Sequence, residues 1–116
     1  MSFEITSTDS QNRSRIKVDS VGNVFSTRVR VLTREGLHGR PASQIATMLS
    51  KRDATLTLVK EGSPESRADG SSVLDMLILA AGFDTELQLV AEGPEARAVL
   101  EEVADFFNNK FGEEES

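Results

Sequence analysis

Hydrophobic and polar positions alternate along this chain with two different periods, and the switches between them mark its elements. Thr27-Arg28-Val29-Arg30-Val31 alternates at every second residue and is β-branched, which predicts a strand. Glu35-Gly36 breaks it. Beyond Pro41, the residues Ala42, Ile45, Ala46 and Leu49 fall at i, i+3, i+4 and i+7, the apolar stripe of an amphipathic helix. Proline suits a first helical turn, where its missing N–H loses no partner. Lys51-Arg52 suit a helix end, where cations meet the negative pole of the dipole. Ala54-Thr55-Leu56-Thr57-Leu58 alternates again as a strand, Glu61-Gly62-Ser63-Pro64 is turn chemistry, and residues 65–68 can pair back. A shorter helix opens at Ser71 or Ser72 and is expected to bury Leu74, Leu77 and Ile78. Asp75, three residues after Ser72, echoes a capping box. Ala81-Gly82 stops that helix. Residues 85–91 alternate with Leu87, Leu89 and Ala91 on one face, and Gly93-Pro94-Glu95 starts a last helix. Val99, Val103, Phe106 and Phe107 face inward there, with Gly112 as the stop.

The order from Val24 onward is therefore βαββαβα. The strands alternate in polarity, so one sheet face packs on helices and the other meets water. This is a two-layer α+β domain. Residues 24–112 are expected to form it. Residues 1–23 read as a flexible polar extension, with short strands at residues 3–6 or 16–18, and residues 113–116 as a solvated acidic tail.

Composition narrows the function. The 116 residues suffice for one domain with a modest core. No cysteine is present, so disulfides and thiolate metal sites are excluded, and no metal or cofactor is called for. A net charge of −6, from 19 acidic against 13 basic residues, opposes binding to nucleic acid. No apolar run reaches the roughly 20 residues that span a bilayer, and residues 1–10 lack the regions of a secretory signal. The cytoplasm is the expected location.

The informative segment is Gly36-Leu37-His38-Gly39-Arg40-Pro41-Ala42-Ser43. It sets the sole histidine between a strand exit and a helix start. Backbone N–H groups of a first helical turn lack partners, and the dipole adds positive charge, so this is a natural seat for phosphate. The backbone of Gly39 and Arg40 would bind it, and the Arg40 guanidinium would offer a forked, permanently charged donor. Gly39 leaves room for close approach. Near neutral pH an ordinary imidazole is mostly unprotonated, so a ring nitrogen can attack phosphorus. Only Glu35 lies nearby in sequence, and neither paired carboxylates nor a nucleophile–His–Asp order is present. That pattern fits a carrier better than an enzyme. From the residues alone, a surface histidine beside a solvated arginine, or a domain that only binds a small anion, stays open.

Gly36-Leu37-His38-Gly39-Arg40-Pro41-Ala42 closely resembles the active-site signature of HPr, the phosphocarrier of the phosphoenolpyruvate-dependent phosphotransferase system. The resemblance runs over residues 27–111. It includes Ser71 to Leu79, which looks like the family's helix opening on a regulatory serine, and an ending from Ala91 similar to the nitrogen-related branch. The resemblance implies an open-faced β-sandwich, a four-stranded antiparallel sheet with three helices on one face. It implies that His38 takes a phosphoryl group at Nδ1 from phosphorylated enzyme I and gives it to an enzyme IIA-type acceptor, with Arg40 stabilising it. Ser72 would be the target of an HPr kinase/phosphorylase. Ser43, Thr47, Val73, Leu74, Leu77 and Ile78 would line the docking face, Ile78 leaning towards the core, and the protein would act as a monomer. Gly39 stands where Ala or Thr is usual, a mild departure. Asp75 stands where many sugar-type members have Gly or Lys, and Thr47 where a Lys is common, so attraction to acidic acceptors would be weaker and partner choice different. A regulatory interaction module controlling a kinase, transporter or transcription factor is the alternative this leaves.

Overall fold

The β-branched alternation of the sequence produces a sheet whose two faces differ, and the inward face sets the whole architecture. The computed structural model describes residues 16–113. The strand read at residues 3–6, the first fifteen residues of the extension and residues 114–116 lie outside them. The elements are β1 (Asp19–Val21), β2 (Val24–Arg30), α1 (Gly39–Ser50), β3 (Thr55–Lys60), β4 (Ser63–Asp69), α2 (Val73–Leu79), β5 (Glu86–Glu92) and α3 (Ala96–Asn108). Every neighbouring pair in the sheet is antiparallel, in the order β1-β2-β5-β3-β4.

Register places the buried side chains in rows. Thr27 faces Leu89, Val29 faces Leu87, Leu58 faces Leu89 and Leu56 faces Ala91. All of them are buried, beneath Ala42, Ile45 and Leu49 of α1, Met76 and Leu79 of α2, and Ala96, Val99, Leu100, Val103, Ala104 and Phe107 of α3. Full burial of each large aliphatic or aromatic side chain contributes roughly 1.5–3 kcal/mol. Arg28 and Arg30, between Thr27 and Val31, project to the other face and are exposed, as the pleat requires. This is the open-faced sandwich expected. Pro64 lies in β4, an edge strand, where a missing donor is tolerated.

Two expectations change. The sheet has five strands among the described residues rather than four, because the turn at Gly22-Asn23 folds β1 back onto β2 with Val21 opposite Val24. No strand forms at residues 16–18. Asp19, Ser20 and Val21 are all exposed, so β1 is held by the backbone ladder and leaves no hydrophobic pattern to read. The second correction concerns α2. Leu74, Leu77 and Ile78 are 65%, 43% and 71% exposed, and the buried residues are Met76 and Leu79. The segment Val-Leu-Asp-Met-Leu-Ile-Leu is apolar almost all round, so periodicity could not choose which stripe faces in.

Candidate functional site

The loop leaving β2 is locked before it reaches His38. Val31 donates its N–H to Thr85 O at 2.9 Å, Asp84 N–H donates back to Val31 O at 2.8 Å, and Leu37 N–H donates to Ala81 O at 2.9 Å. Gly36 takes φ +73, and a Cβ built there would stand 2.7 Å from Ala81 O, so only glycine lets the loop lie this close to the end of α2. Thr33, fully buried, donates its hydroxyl to Gly36 O at 3.4 Å, and Leu37 is 4% exposed. These contacts fix the backbone on which His38 stands.

His38 is the N-cap of α1 with an extended backbone, φ −96 and ψ −167. Its carbonyl accepts the first intrahelical bond from Ala42 N–H at 3.0 Å. Its side chain makes no capping bond to the helix. Gly39 and Arg40 N–H find no partner among the described residues, and Pro41, in the third helical position, has no N–H to satisfy. Two amides and the positive end of a twelve-residue helix therefore lie open beside the imidazole. Arg40 is exposed and makes no ion pair among the described residues, so its guanidinium is available to an anion. A Cβ at Gly39 would meet nothing within 4 Å, which agrees with reading that position as a mild departure.

One neighbour of His38 was invisible in the sequence. Glu113 Oε2 lies 3.2 Å from His38 Nε2, and the Glu113 side chain is only 15% exposed against 37% for His38. The first residue of the expected solvated tail is thus folded onto the imidazole, and Glu35 is not the carboxylate that matters there. No periodicity marks Glu113, because the chain between it and α3 is a tight turn. Nδ1 of His38 has no hydrogen bond among the described residues. No group of three or more His, Asp or Glu side chains able to hold a metal ion occurs among the described residues.

Around this point, Ser43 and Thr47 are exposed and lie four residues apart on α1, with Thr47 donating its hydroxyl to Ser43 O at 3.0 Å. Helix α2 packs beside α1. It presents Leu74, Leu77 and Ile78 outward, while Val73 is half-buried. Phe83, 60% exposed in the loop after α2, adds an apolar residue the sequence reading passed over. Ser72 is the N-cap of α2 and accepts Asp75 N–H at 3.1 Å. The reciprocal half of a capping box is missing, since the Asp75 carboxylate accepts Asp69 N–H at 3.3 Å instead.

Residues 25–109 match the family described as the phosphorylation site of the HPr component of the phosphotransferase system. The chain belongs to the HPr family. It is 41% identical to the phosphocarrier protein HPr of Treponema pallidum over 86 residues, which are 74% of this chain and 94% of that one. Identity to the phosphocarrier protein NPr of Shewanella violacea is 33% over 86 residues, 74% of this chain and 91% of the other. The crystal structure of an HPr from Bacillus anthracis shares the fold with a TM-score of 0.66 at 24% identity, over 74% of this chain and 99% of that one. An HPr protein is a phosphoryl carrier and not an enzyme, in keeping with a site that offers an exposed nucleophile and open anion donors.

Proposed function

We propose that this HPr-family phosphocarrier takes a phosphoryl group on His38 Nδ1 from phosphorylated enzyme I and hands it to an enzyme IIA-type acceptor of the phosphotransferase system, in the cytoplasm. The observation that carries this reading is an accessible imidazole whose Nδ1 is uncommitted among the described residues, beside two helix amides and an Arg40 that likewise find no partner among them. In the transfer, the Nδ1 lone pair forms a bond to phosphorus while the bond from phosphorus to the donor breaks, its electron pair leaving on the donor. Amide N–H groups of Gly39 and Arg40 and the guanidinium bind the non-bridging oxygens, whose charge they match. The onward step repeats this chemistry in reverse, with His38 as the leaving group.

Docking is supported by the exposed residues Leu74, Leu77 and Ile78 of α2 and Phe83, with Ser43 and Thr47 on α1. Apolar residues left in water at one end of a small domain mark an interaction surface. Ser72 is best read as a helix cap. A phosphate on its oxygen would stand three residues from each of two carboxylates, Asp75 and Asp69, whose repulsion opposes the attraction of the helix N-terminus.

Incubation with phosphoenolpyruvate and a cognate enzyme I should add one acid-labile phosphate per chain. His38→Ala should abolish the label with the fold unchanged by circular dichroism, and Arg40→Ala should slow labelling about tenfold or more. A label that persists in His38→Ala would overturn the assignment.

A further inference from the structure

The end of α3 is built to deliver a carboxylate to His38. Lys110, Phe111 and Gly112 follow one another in the left-handed region, with φ of +57, +58 and +70. Only the last is a glycine, so Lys110 and Phe111 hold this conformation against steric cost. What holds them is the Phe111 ring, which is 1% exposed and packs edge-on to Phe107 at 5.0 Å and tilted against Phe106 at 5.2 Å. Gly112 N–H donates to Asn109 O and Glu113 N–H donates to Lys110 O, both at 2.9 Å. The turn therefore pins the backbone as it reaches Glu113. Strained backbone that persists beside a chemical group marks a feature retained for what it positions.

Glu113 is also unlike most other carboxylates in ion pairs here. Glu61, Glu86, Glu95, Glu101 and Glu102 all pair with arginines, whereas among the described residues the only partner of the Glu113 side chain is His38. The contact is to Nε2 and not to Nδ1.

We infer that Glu113 is a positioning residue for phosphoryl transfer: its carboxylate accepts a hydrogen bond from Nε2–H, so that the lone pair needed for attack stays on Nδ1. This rests on the reading of His38 as the phosphoryl acceptor. A neutral imidazole has one protonated and one free nitrogen, and the bond made by one decides which is which. With the proton held on Nε2, the free lone pair lies on Nδ1, which has no hydrogen bond among the described residues. When Nδ1 bonds phosphorus, the ring keeps its Nε2 proton and takes on positive charge; no proton has to move. The carboxylate then stabilises that charge, as acidic partners of histidine do in catalytic triads and around metal-bound histidines. On departure of the phosphoryl group the electron pair returns to Nδ1, and the ring is again neutral with its proton still on Nε2.

The test compares the full chain with Glu113→Ala and Glu113→Gln. Ring 15N chemical shifts of His38, read with the ring neutral, report the tautomer directly. The wild-type ring should show a protonated Nε2 and an unprotonated Nδ1. Glu113→Ala should move it towards a mixture of tautomers, and Glu113→Gln, whose amide oxygen still accepts, should restore the wild-type ratio. In the enzyme I assay Glu113→Ala should lower kcat on the order of tenfold with KM for this protein unchanged, because the Glu113 side chain is only 15% exposed and is spent on His38. Glu113→Gln should recover only part of that loss, since the charge is gone. A tautomer ratio that is the same in all three proteins would overturn the inference, as would a KM effect without a kcat effect. These outcomes are separable from failure of the carrier reading, which would appear as label remaining in His38→Ala whatever the tautomer. Should Glu113→Ala unfold the end of α3, Glu113→Gln, which keeps the length of the side chain and the Phe111 anchor, still carries the expected loss in kcat.

Discussion

At the scale of single residues, the proposed site depends on two groups besides His38 and Arg40. Gly36 is one: at φ +73 and with Ala81 O in the place of a side chain, it lets the β2–α1 loop lie against the end of α2. Gly36→Ala combines a left-handed alanine with a backbone clash, and it should cost on the order of 2 kcal/mol in urea unfolding and slow labelling of His38 as well. An unchanged midpoint would mean that the loop can shift freely. The other is Glu113, whose carboxylate meets Nε2 of His38 at 3.2 Å. His38, Gly39 and Arg40 were legible in the sequence because their chemistry is local: a helix end, a small residue and a charge within three positions. Glu113 was not, because 75 residues separate it from its partner.

Among the elements, α2 shows how a short helix can serve two ends. Met76 and Leu79 hold it to the core, and Ser72 caps it through Asp75 N–H. Ser72→Ala should therefore lower stability by about 1 kcal/mol, read as a shift of the denaturation midpoint without loss of carrier activity. Leu74 and Ile78 face water, so the double change to Ser should leave stability within about 0.5 kcal/mol of wild type while raising KM for transfer from enzyme I. If it instead unfolds the protein, those residues belong to the core after all. The helix itself was legible from its cap and its stop at Ala81-Gly82, but its inward face was not. Six apolar residues among seven satisfy more than one stripe, and only the sheet and α1 beside it choose between them. Strand β1 failed for the opposite reason, since it buries nothing.

For the whole molecule, the last turn links core packing to the site. Phe111 is buried against Phe106 and Phe107 at one end of the sandwich, and two residues later Glu113 reaches the imidazole. Phe111→Ala should cost about 3–5 kcal/mol through the cavity it leaves, and it should release Glu113 from His38 at the same time. Unfolding in denaturant and the His38 ring 15N shifts would measure the two effects on one protein; a destabilised chain with an unaltered ring would show that the turn holds without its anchor. The sequence by itself determined the order of elements from β2 onward, the inward faces of β2, β3, β5, α1 and α3, and the placing of His38 over a helix end. Each of these is written in neighbours a few residues apart, where a period of two or of 3.6 and the valence of the backbone leave little choice. Only the tertiary structure decided which side of α2 is buried, how far the sheet extends before β2, and which carboxylate stands behind the histidine. Those outcomes turn on contacts between distant segments, and a chain carries no local record of what will be packed against it.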